Sequence, residues 1–218
     1  MFFWDLDGTI IDVSDRYYNL YKDIINDAGV DAIGKEAYWR AKCEAMPENE
    51  ILKISGADAV FQNYHAKRIS LIESEYYLSF DRLHEGIIPV LEYLSARFIL
   101  VLVTLRSSPN QLNNELQRLS LKQYFTDTLS SGNQQSPRWQ TKYTLIQEYM
   151  LIKKGSGHFM IGDTETDMKA GKELGLKTIA VLNGIRTRRR LLQANPDIML
   201  NSAKDLLNPE FIQMFDRR

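Results

Sequence analysis

An apolar run at the start of the chain stops abruptly at two carboxylates. Residues 1–4 are Met-Phe-Phe-Trp, and residues 5–9 are Asp-Leu-Asp-Gly-Thr. The run predicts a buried strand over residues 1–5, because a strand covered on both faces is apolar at successive positions. Gly8 permits a sharp turn, so Asp7 is expected on the loop just beyond the strand. Asp5 then lies at the carboxyl end of the strand, where open α/β sheets bind ligands.

The two carboxylates at this strand end point to a bound cation. Asp5 and Asp7 are close enough to repel each other unless a proton or a cation is held between them. Carboxylate oxygens favour a hard cation such as magnesium. An ordinary turn rich in aspartate is the alternative that this short pattern leaves open.

Apolar strand-like runs alternate with helical patterns along most of the chain. Predicted strands cover residues 1–5, 98–103, 126–129, 158–161, 177–182 and 197–200. Predicted helices between them cover residues 87–96, 110–119, 141–151, 166–174 and 187–194. This alternation predicts the α/β class, with a Rossmann-like parallel sheet and right-handed crossovers.

The segment from residue 14 to residue 80 departs from that alternation and contains no convincing strand. Its apolar positions predict one helix from Ser14 to Gly29, helices over residues 35–45 and 47–54, and one long helix or two over residues 57–78. Roughly 65 helical residues are enough for a small unit. The predicted division is a core domain of residues 1–13 and 81–218 and an inserted helical domain of residues 14–80.

Composition and charge exclude several classes of function. The 218 residues carry a net charge of −1, so no overall field favours nucleic acid or an anionic membrane. No apolar run reaches the roughly 20 residues of a membrane helix, and the acidic start is unlike a signal peptide. The single cysteine, Cys43, excludes an intrachain disulfide. The basic run at residues 186–190 predicts a solvated helix face. We expect a cytoplasmic monomer or homodimer without nucleic-acid or membrane partners.

Polar side chains end three of the predicted strands. Asp5, Thr104 and Asp163 each follow an apolar run. The carboxyl ends of parallel strands meet at one edge of a sheet, so these three groups are expected to share a site. Asp163 belongs to the sequence Gly-Asp-Thr-Glu-Thr-Asp at residues 162–167, which places Asp167 in the opening turn of the next helix.

These motifs, in this order, resemble the four signatures of the haloacid dehalogenase superfamily of phosphohydrolases. The matching positions are residues 5–9, Thr104, Lys142 and residues 162–167. The third signature matches least well, because Lys142 is followed by Tyr143 where the family commonly has proline, and Arg138 is a rival for the same role. The resemblance extends over the whole chain and is greatest over residues 4–12 and 158–184.

The resemblance implies a catalytic role for each motif. Asp5 is expected to attack phosphorus and form an aspartyl-phosphate. Asp7 is expected to protonate the leaving oxygen and then to activate water. Thr104 and Lys142 are expected to bind the phosphoryl oxygens and stabilise charge in the transition state. Arg106 is a further candidate for substrate binding, with exposure to solvent as the alternative.

The resemblance also implies a magnesium ion. Its expected ligands are the carboxylate of Asp5, the backbone carbonyl of Asp7 and the carboxylate of Asp163. Asp167 is expected either to hold the metal through water or to orient Lys142.

Asp7 and the helical insert narrow the implied reaction. Dehalogenases of this superfamily lack an acid at the position of Asp7, so its presence favours phosphoryl chemistry. Phosphoglycolate phosphatase and its relatives carry a helical cap in the place of residues 14–80, and residues 162–207 resemble them. A mobile lid implies a small substrate. Candidate contacts from the cap are Tyr17, Tyr21, Trp39, Arg40 and Lys53.

The leading hypothesis is a magnesium-dependent phosphatase that hydrolyses a small phosphorylated metabolite through an aspartyl-phosphate. A β-phosphoglucomutase-like phosphotransferase is the alternative among enzymes, because it uses the same core and cap. A binding protein that keeps the fold without turnover is the alternative from another class.

Overall fold

A computed structural model describes residues 1–131 and 136–216. Its strands are β1 (Phe2–Trp4), β2 (Ile11–Asp12), β3 (Arg82–Leu83), β4 (Leu100–Thr104), β5 (Asp127–Ser130), β6 (Phe159–Gly162), β7 (Lys177–Val181) and β8 (Ile198–Leu200). Its helices are α1 (Ser14–Asp27), α2 (Lys35–Cys43), α3 (Glu48–Ile54), α4 (Phe61–Leu71), α5 (Glu75–Leu78), α6 (Ile87–Ser95), α7 (Pro109–Arg118), α8 (Arg138–Lys153), α9 (Glu165–Glu173), α10 (Arg188–Gln193) and α11 (Pro209–Asp216). No helix in these described ranges has the length and apolar character of a membrane span.

Six strands form one parallel sheet, as the sequence predicts. Their order is β5-β4-β1-β6-β7-β8, so β1 lies at the centre. Trp4 of β1 is level with Leu102 of β4 on one side and with Ile161 of β6 on the other. The chain runs outward through β4 and β5 in one direction and through β6, β7 and β8 in the other. The carboxyl end of β1 is therefore a topological switch point, the place where such sheets bind ligands.

The first strand is apolar at every position because helices cover both faces of the sheet. Phe2 and Trp4 belong to the apolar cluster on one face, whereas Phe3 packs with Val101 and Ile146 on the other. The ring of Phe2 stacks on Phe159 with centroids 4.7 Å apart. The C-terminal helix α11, which the sequence analysis did not predict, closes this face with Phe215. Burial of these side chains fixes β1, and with it the position of Asp5.

Helices α1 to α5 form a helical insert, here residues 14–80, that packs around an apolar cluster of its own. Four buried tyrosines belong to this cluster, and the rings of Tyr21 and Tyr38 stack with centroids 4.4 Å apart. The helix predicted over residues 35–45 ends at Cys43. The segment 57–78 is divided into a 3₁₀ turn, α4 and the short α5.

A two-stranded antiparallel ribbon joins the insert to the sheet domain. Ile11 of β2 pairs with Leu83 of β3, and Asp12 pairs with Arg82. The Asp12 carboxylate accepts a hydrogen bond of 2.8 Å from the backbone N–H of Ser14, at the start of α1. Strands of two residues show no periodicity, so the sequence did not predict this ribbon. Both connections to the insert therefore leave the sheet domain side by side.

Candidate active site

The carboxyl edge of the sheet brings Asp5 against Lys142. Asp5 follows β1 directly, and its backbone N–H donates to the carbonyl of Ile161 at 2.9 Å. The Lys142 ammonium lies 2.5 Å from Oδ1 of Asp5 and 2.5 Å from Oδ1 of Asp167. All three side chains are buried. The structure thus places Lys142, and not its rival Arg138, in contact with the expected nucleophile.

Asp163 ends β6 and completes a cluster of three buried carboxylates. One oxygen each from Asp5, Asp163 and Asp167 lie within 4.8 Å of one another. The Asp163 carboxylate accepts hydrogen bonds from the hydroxyl of Thr9 at 2.9 Å and from the backbone N–H of Ile185 at 2.6 Å. Against these three acids the cluster holds one ammonium, that of Lys142. It therefore carries two negative charges in excess when all of its groups are ionised.

The pKa shifts in this cluster follow from burial and from that charge imbalance. Burial, and then the charge of Asp167, raise the pKa of Asp5 well above its usual value. The same causes, in the same order, raise the pKa of Asp163 to about 7. Burial disfavours the ammonium of Lys142, but Asp167 and Asp5 outweigh it and raise the pKa of Lys142. The carboxylates thus resist full ionisation until further positive charge is supplied.

Two glycines allow the backbone to approach the Asp163 carboxylate closely. Gly8 has a φ of +85°, which disfavours other residues, and a Cβ atom there would lie 2.2 Å from Oδ2 of Asp163. A Cβ atom on Gly184 would lie 2.3 Å from the same oxygen. Backbone therefore approaches the carboxylate from two sides, and the sequence Asp-Gly-Thr of the first motif has a steric reason.

Asp167 is occupied by protein donors on both of its oxygens. Oδ1 receives the Lys142 ammonium, and Oδ2 accepts hydrogen bonds from the backbone N–H of Thr164 at 3.0 Å and from its hydroxyl at 2.7 Å. These contacts also cap the start of α9. Of the two roles expected for Asp167, this arrangement favours the orientation of Lys142.

Asp7 lies just beyond Asp5 in a different environment. Arg106 binds its carboxylate with two nitrogens, each at 2.7 Å, and Nη2 of Arg16 lies 2.6 Å from Oδ1. Burial alone would raise the pKa of Asp7, but Arg106 and Arg16 together hold it below its usual value. Asp7 is therefore held as a carboxylate in this arrangement.

The two arginines extend into a buried network that the sequence analysis did not predict. Arg106 also contacts Asp81 at 3.3 Å and Glu115 at 2.9 Å, and Arg16 contacts Asp81 at 3.3 Å. Arg16 lies in the first turn of the insert and Asp81 directly follows it, so the network joins both connections of the insert to Asp7. Arg106, expected to meet substrate or solvent, instead has acids of the protein as its main partners.

A cavity of about 430 Å³ opens between the sheet edge and the insert. Asp5, Asp7, Thr104, Arg106 and Lys142 line its core wall, so the structure gathers these expected site residues around one space. Asp163 and Asp167 lie behind this wall, fully buried. The hydroxyl of Thr104 accepts a weak hydrogen bond from the backbone N–H of Arg106 at 3.4 Å.

The insert forms the facing wall with residues that differ mostly from those expected. Of the five candidate cap contacts only Tyr17 lines the cavity, whereas Tyr21 is buried in the insert and Arg40 and Lys53 are exposed. Trp39 packs beside Tyr17, with ring centroids 6.4 Å apart. The residues that take their place come from α2, from α4 and from the turn that follows α4. They are Lys42, Arg68, Ile69, Ile72 and Glu73.

A loop after β7 seats the insert on the sheet domain. The backbone N–H of Thr187 donates to the carbonyl of Cys43 at 3.2 Å, and Nη1 of Arg186 donates to the carbonyl of Lys42 at 3.2 Å. Arg189 pairs with Glu44 of the insert at 2.6 Å. The prediction of a solvated helix face therefore fits Arg188, which is exposed, but is wrong for Arg186.

Comparisons with known proteins agree with these motifs. The family model described as "Haloacid dehalogenase-like hydrolase" matches residues 2–181. Phosphoglycolate phosphatase of Synechococcus elongatus is 24% identical over 207 residues, which cover 94% of this chain and 93% of that protein.

Solved structures show the same fold at low sequence identity. A haloacid dehalogenase-like family hydrolase from Streptococcus pneumoniae superposes with a TM-score of 0.77 at 21% identity, covering 94% of this chain and 95% of the other. A protein from Thermotoga maritima with the provisional name β-phosphoglucomutase gives a TM-score of 0.66 at 17% identity, covering 95% and 96%.

Proposed function

The chain belongs to the haloacid dehalogenase-like hydrolase family, and on this basis we propose that it is a magnesium-dependent phosphatase for a small phosphorylated metabolite. One observation carries the proposal. Asp5, Lys142 and Asp163 meet at the central switch point of the sheet, buried and with negative charge in excess, beside a cavity that the insert closes. The phosphoglycolate phosphatase of Synechococcus elongatus, which matches over nearly its whole length, supports a phosphomonoester as substrate.

The donor set at this site suits a small divalent cation. Asp5 and Asp163 offer carboxylate oxygens, and the backbone carbonyl of Asp7 lies two residues after Asp5 in the chain. These are the hard oxygen ligands that magnesium prefers, and the uncompensated charge of the cluster matches a dication. Magnesium bound there would neutralise the phosphate ester and the carboxylates that surround it. Asp167, whose Oδ1 receives the Lys142 ammonium, would fix the position of Lys142.

The chemistry of the protein side chains has two halves. In the first, an oxygen of Asp5 attacks phosphorus, the bond from phosphorus to the leaving oxygen breaks, and Asp7 supplies the proton for the departing alcohol. In the second, water attacks the aspartyl-phosphate, Asp7 takes a proton from that water, and the bond from phosphorus to Asp5 breaks. Inorganic phosphate leaves and Asp5 is regenerated. Thr104 and Lys142 would bind the phosphoryl oxygens throughout.

The contacts of Arg16 and Arg106 with Asp7 suit the second half of the reaction but not the first. With Arg16 and Arg106 in contact, Asp7 is a carboxylate, which is the form that accepts a proton from water. Proton donation in the first half requires the protonated form, and therefore a looser hold by the two arginines. Because Arg16 belongs to the insert, movement of the insert is the natural way to change that hold.

The insert would serve as a cap over the site. It lines one wall of the cavity and is joined to the sheet domain by the ribbon of β2 and β3. A cavity enclosed in this way admits a small ester and excludes a folded protein, so we infer a metabolite as substrate.

The test is phosphate release from p-nitrophenyl phosphate by the purified protein, with magnesium and after chelation. Release that requires magnesium supports the proposal. Incubation with β-glucose 1-phosphate separates the alternative, because isomerisation to the 6-phosphate with little phosphate release indicates a phosphotransferase. Absence of turnover with every ester in a broad panel would overturn the assignment as an enzyme.

A further inference from the structure

The insert wall of the cavity carries two cations that the proposed reaction does not use. Lys42 lies in the last turn of α2 and Arg68 in the last turn of α4. Both line the cavity, and their side chains are only 13% and 21% exposed. Two separate helices thus place a positive charge on the same wall, away from the solvent that normally surrounds such groups.

One carboxylate is shared between these two cations. Oε1 of Glu48 lies 2.8 Å from Nε of Arg68 and 3.4 Å from Nζ of Lys42. Glu73, another acid of this wall, instead accepts hydrogen bonds from the backbone and hydroxyl of Ser107 and from the backbone of Ser108. Among the described residues the pair therefore keeps positive charge in excess. Burial, together with the charge of Arg68, lowers the pKa of Lys42 to about 8, although Glu48 acts to raise it.

The ring of Tyr17 holds the pair in place. The Lys42 ammonium lies 5.5 Å from the ring centroid and the Arg68 guanidinium lies 5.9 Å from it. Cations at this distance from an aromatic ring are attracted to its face. Both charged groups are thereby fixed before any ligand enters, which lowers the ordering cost of binding.

The position of Lys42 and Arg68 on the insert wall indicates which part of a substrate would contact them. The phosphoryl group must lie on the core wall, where Asp5, Thr104 and Lys142 are. A group that reaches the insert wall therefore belongs to the part of the ester that departs as alcohol. We propose that Lys42 and Arg68 bind a second anionic group, a carboxylate or a second phosphate, on the leaving group of the substrate. This inference rests on the proposed phosphatase function and specifies its substrate class.

The experiment compares esters with and without a second anionic group. The substrates are phosphoglycolate and fructose 1,6-bisphosphate, whose leaving groups carry an anionic group (the anionic esters), and ethyl phosphate, whose leaving group is uncharged (the neutral ester). Each is assayed by phosphate release with magnesium. The variants Lys42→Met and Arg68→Met remove charge while keeping length. Lys35→Met on α2 and Lys67→Met on α4 are matched controls, because these lysines lie on the same helices but do not line the cavity.

We expect the wild type to prefer one of the two anionic esters to ethyl phosphate. Lys42→Met and Arg68→Met should each lower kcat/KM for that ester by about 10- to 100-fold, the usual range for the loss of a charge-assisted hydrogen bond. Turnover of ethyl phosphate should change by less than about threefold, which also shows that the variants fold, and the controls should match the wild type. Which anionic ester is preferred distinguishes a carboxylate from a second phosphate.

A further variant is expected to change KM in the opposite direction, which distinguishes loss of binding charge from loss of structure. Glu48→Gln removes the shared carboxylate and leaves both cations free for the substrate, so KM for the anionic ester should fall. Loss of structure would raise it. Equal losses on the anionic and neutral esters, or a wild type without preference, would overturn the inference and leave the phosphatase function intact. No phosphate release from any of the three esters would instead reject the phosphatase function itself.

Discussion

Asp5 and Asp7 are two residues apart, yet they belong to two buried networks of opposite character. Around Asp5, three carboxylates share one ammonium, that of Lys142. Around Asp7, the three acids Asp7, Asp81 and Glu115 share the two buried guanidinium groups of Arg16 and Arg106. The first network keeps negative charge in excess, which a bound cation would offset. The second is neutralised mainly by cations that the chain itself supplies.

This difference shows how one short turn can contribute to both ligand binding and the positioning of the insert. Buried charges are stable only when they are paired and hydrogen-bonded. The network of Asp5 meets this condition only with help from outside, which makes it suited to ligand binding. The network of Asp7 meets it internally and ties the first turn of the insert to the sheet domain, which makes it suited to positioning. The predictions that follow separate these two descriptions.

The largest effect is expected from Asp5→Asn. This substitution removes the proposed nucleophile and one negative charge from the network of Asp5. Activity toward p-nitrophenyl phosphate should fall by at least about 10⁴-fold, the usual cost of losing a nucleophile. The fold should remain, as measured by circular dichroism. Undiminished hydrolysis by the purified variant would show that the covalent mechanism is wrong.

The next largest effect is expected from Arg106→Met, which should lower the stability of the fold. It leaves Asp7 and Asp81 with Arg16 as their main remaining partner, and Glu115 with the partly exposed Arg118. Breaking a buried ion pair costs about 3–5 kcal/mol, so the free energy of unfolding should fall by that amount. Urea denaturation measures it. Arg118→Met is the control, because Arg118 pairs with the same Glu115 but is 40% exposed, and its loss should cost less than about 1 kcal/mol.

The two networks should also respond differently to pH and magnesium. The pKa of Asp163 is raised to about 7 by burial, so the folded state binds a proton that the unfolded state has already lost above pH 4. In the chelated protein, stability from this group is present below pH 4 and is lost as the pH rises through 7. Between these limits the free energy of unfolding should fall by on the order of 1 kcal/mol for each step of one in pH.

Thermal unfolding in EDTA from pH 5 to pH 8 measures this trend. Magnesium at pH 8 should restore the lost stability, because the ion binds the folded state only. Arg106→Met should keep the same response to magnesium, since it alters the other network. A melting temperature that is insensitive to magnesium at pH 8 would contradict the assignment of the acidic cluster as the cation site.

The smallest of these effects is expected from Thr9→Val. It removes the hydroxyl that donates to Asp163 at 2.9 Å without changing the size of the side chain. Loss of such a supporting hydrogen bond typically weakens metal affinity 10- to 100-fold, so half-maximal activity should need that much more magnesium. Thr178→Val is the control. Its hydroxyl donates to Asp197 at 2.7 Å, away from the cluster, and the magnesium requirement should not change.

Much of the fold could be predicted from the sequence because its signals are local. The run at residues 1–4 is apolar on both sides since the strand is buried on both faces, and similar apolar runs predicted β4 and β6. The family signatures likewise marked Asp5, Thr104, Lys142 and Asp163, because phosphoryl chemistry requires particular side chains at strand ends. The structure then brought these residues to one edge.

The remaining site residues could not be predicted because they are defined by contacts distant in the chain. Arg16 is two residues into a helix that reads as ordinary insert, and nothing nearby shows that it reaches Asp7. Lys42 and Arg68 face the cavity only because the insert packs in one orientation on the sheet domain. Of the aromatic candidates from the insert, Tyr17 lines the cavity, whereas Tyr21 is buried in the interior of the insert.

The loop after β7 gives the site a further property. Ile185 donates to Asp163 in the acidic cluster, and its neighbour Arg186 donates to a backbone carbonyl of the insert. These two consecutive residues therefore connect the acidic cluster of Asp163 to the insert. Coupling between two such equilibria is reciprocal by thermodynamic necessity. If a cation bound at the acidic cluster favours one position of the insert by some factor, a substrate that holds the insert in that position raises the affinity for the cation by the same factor.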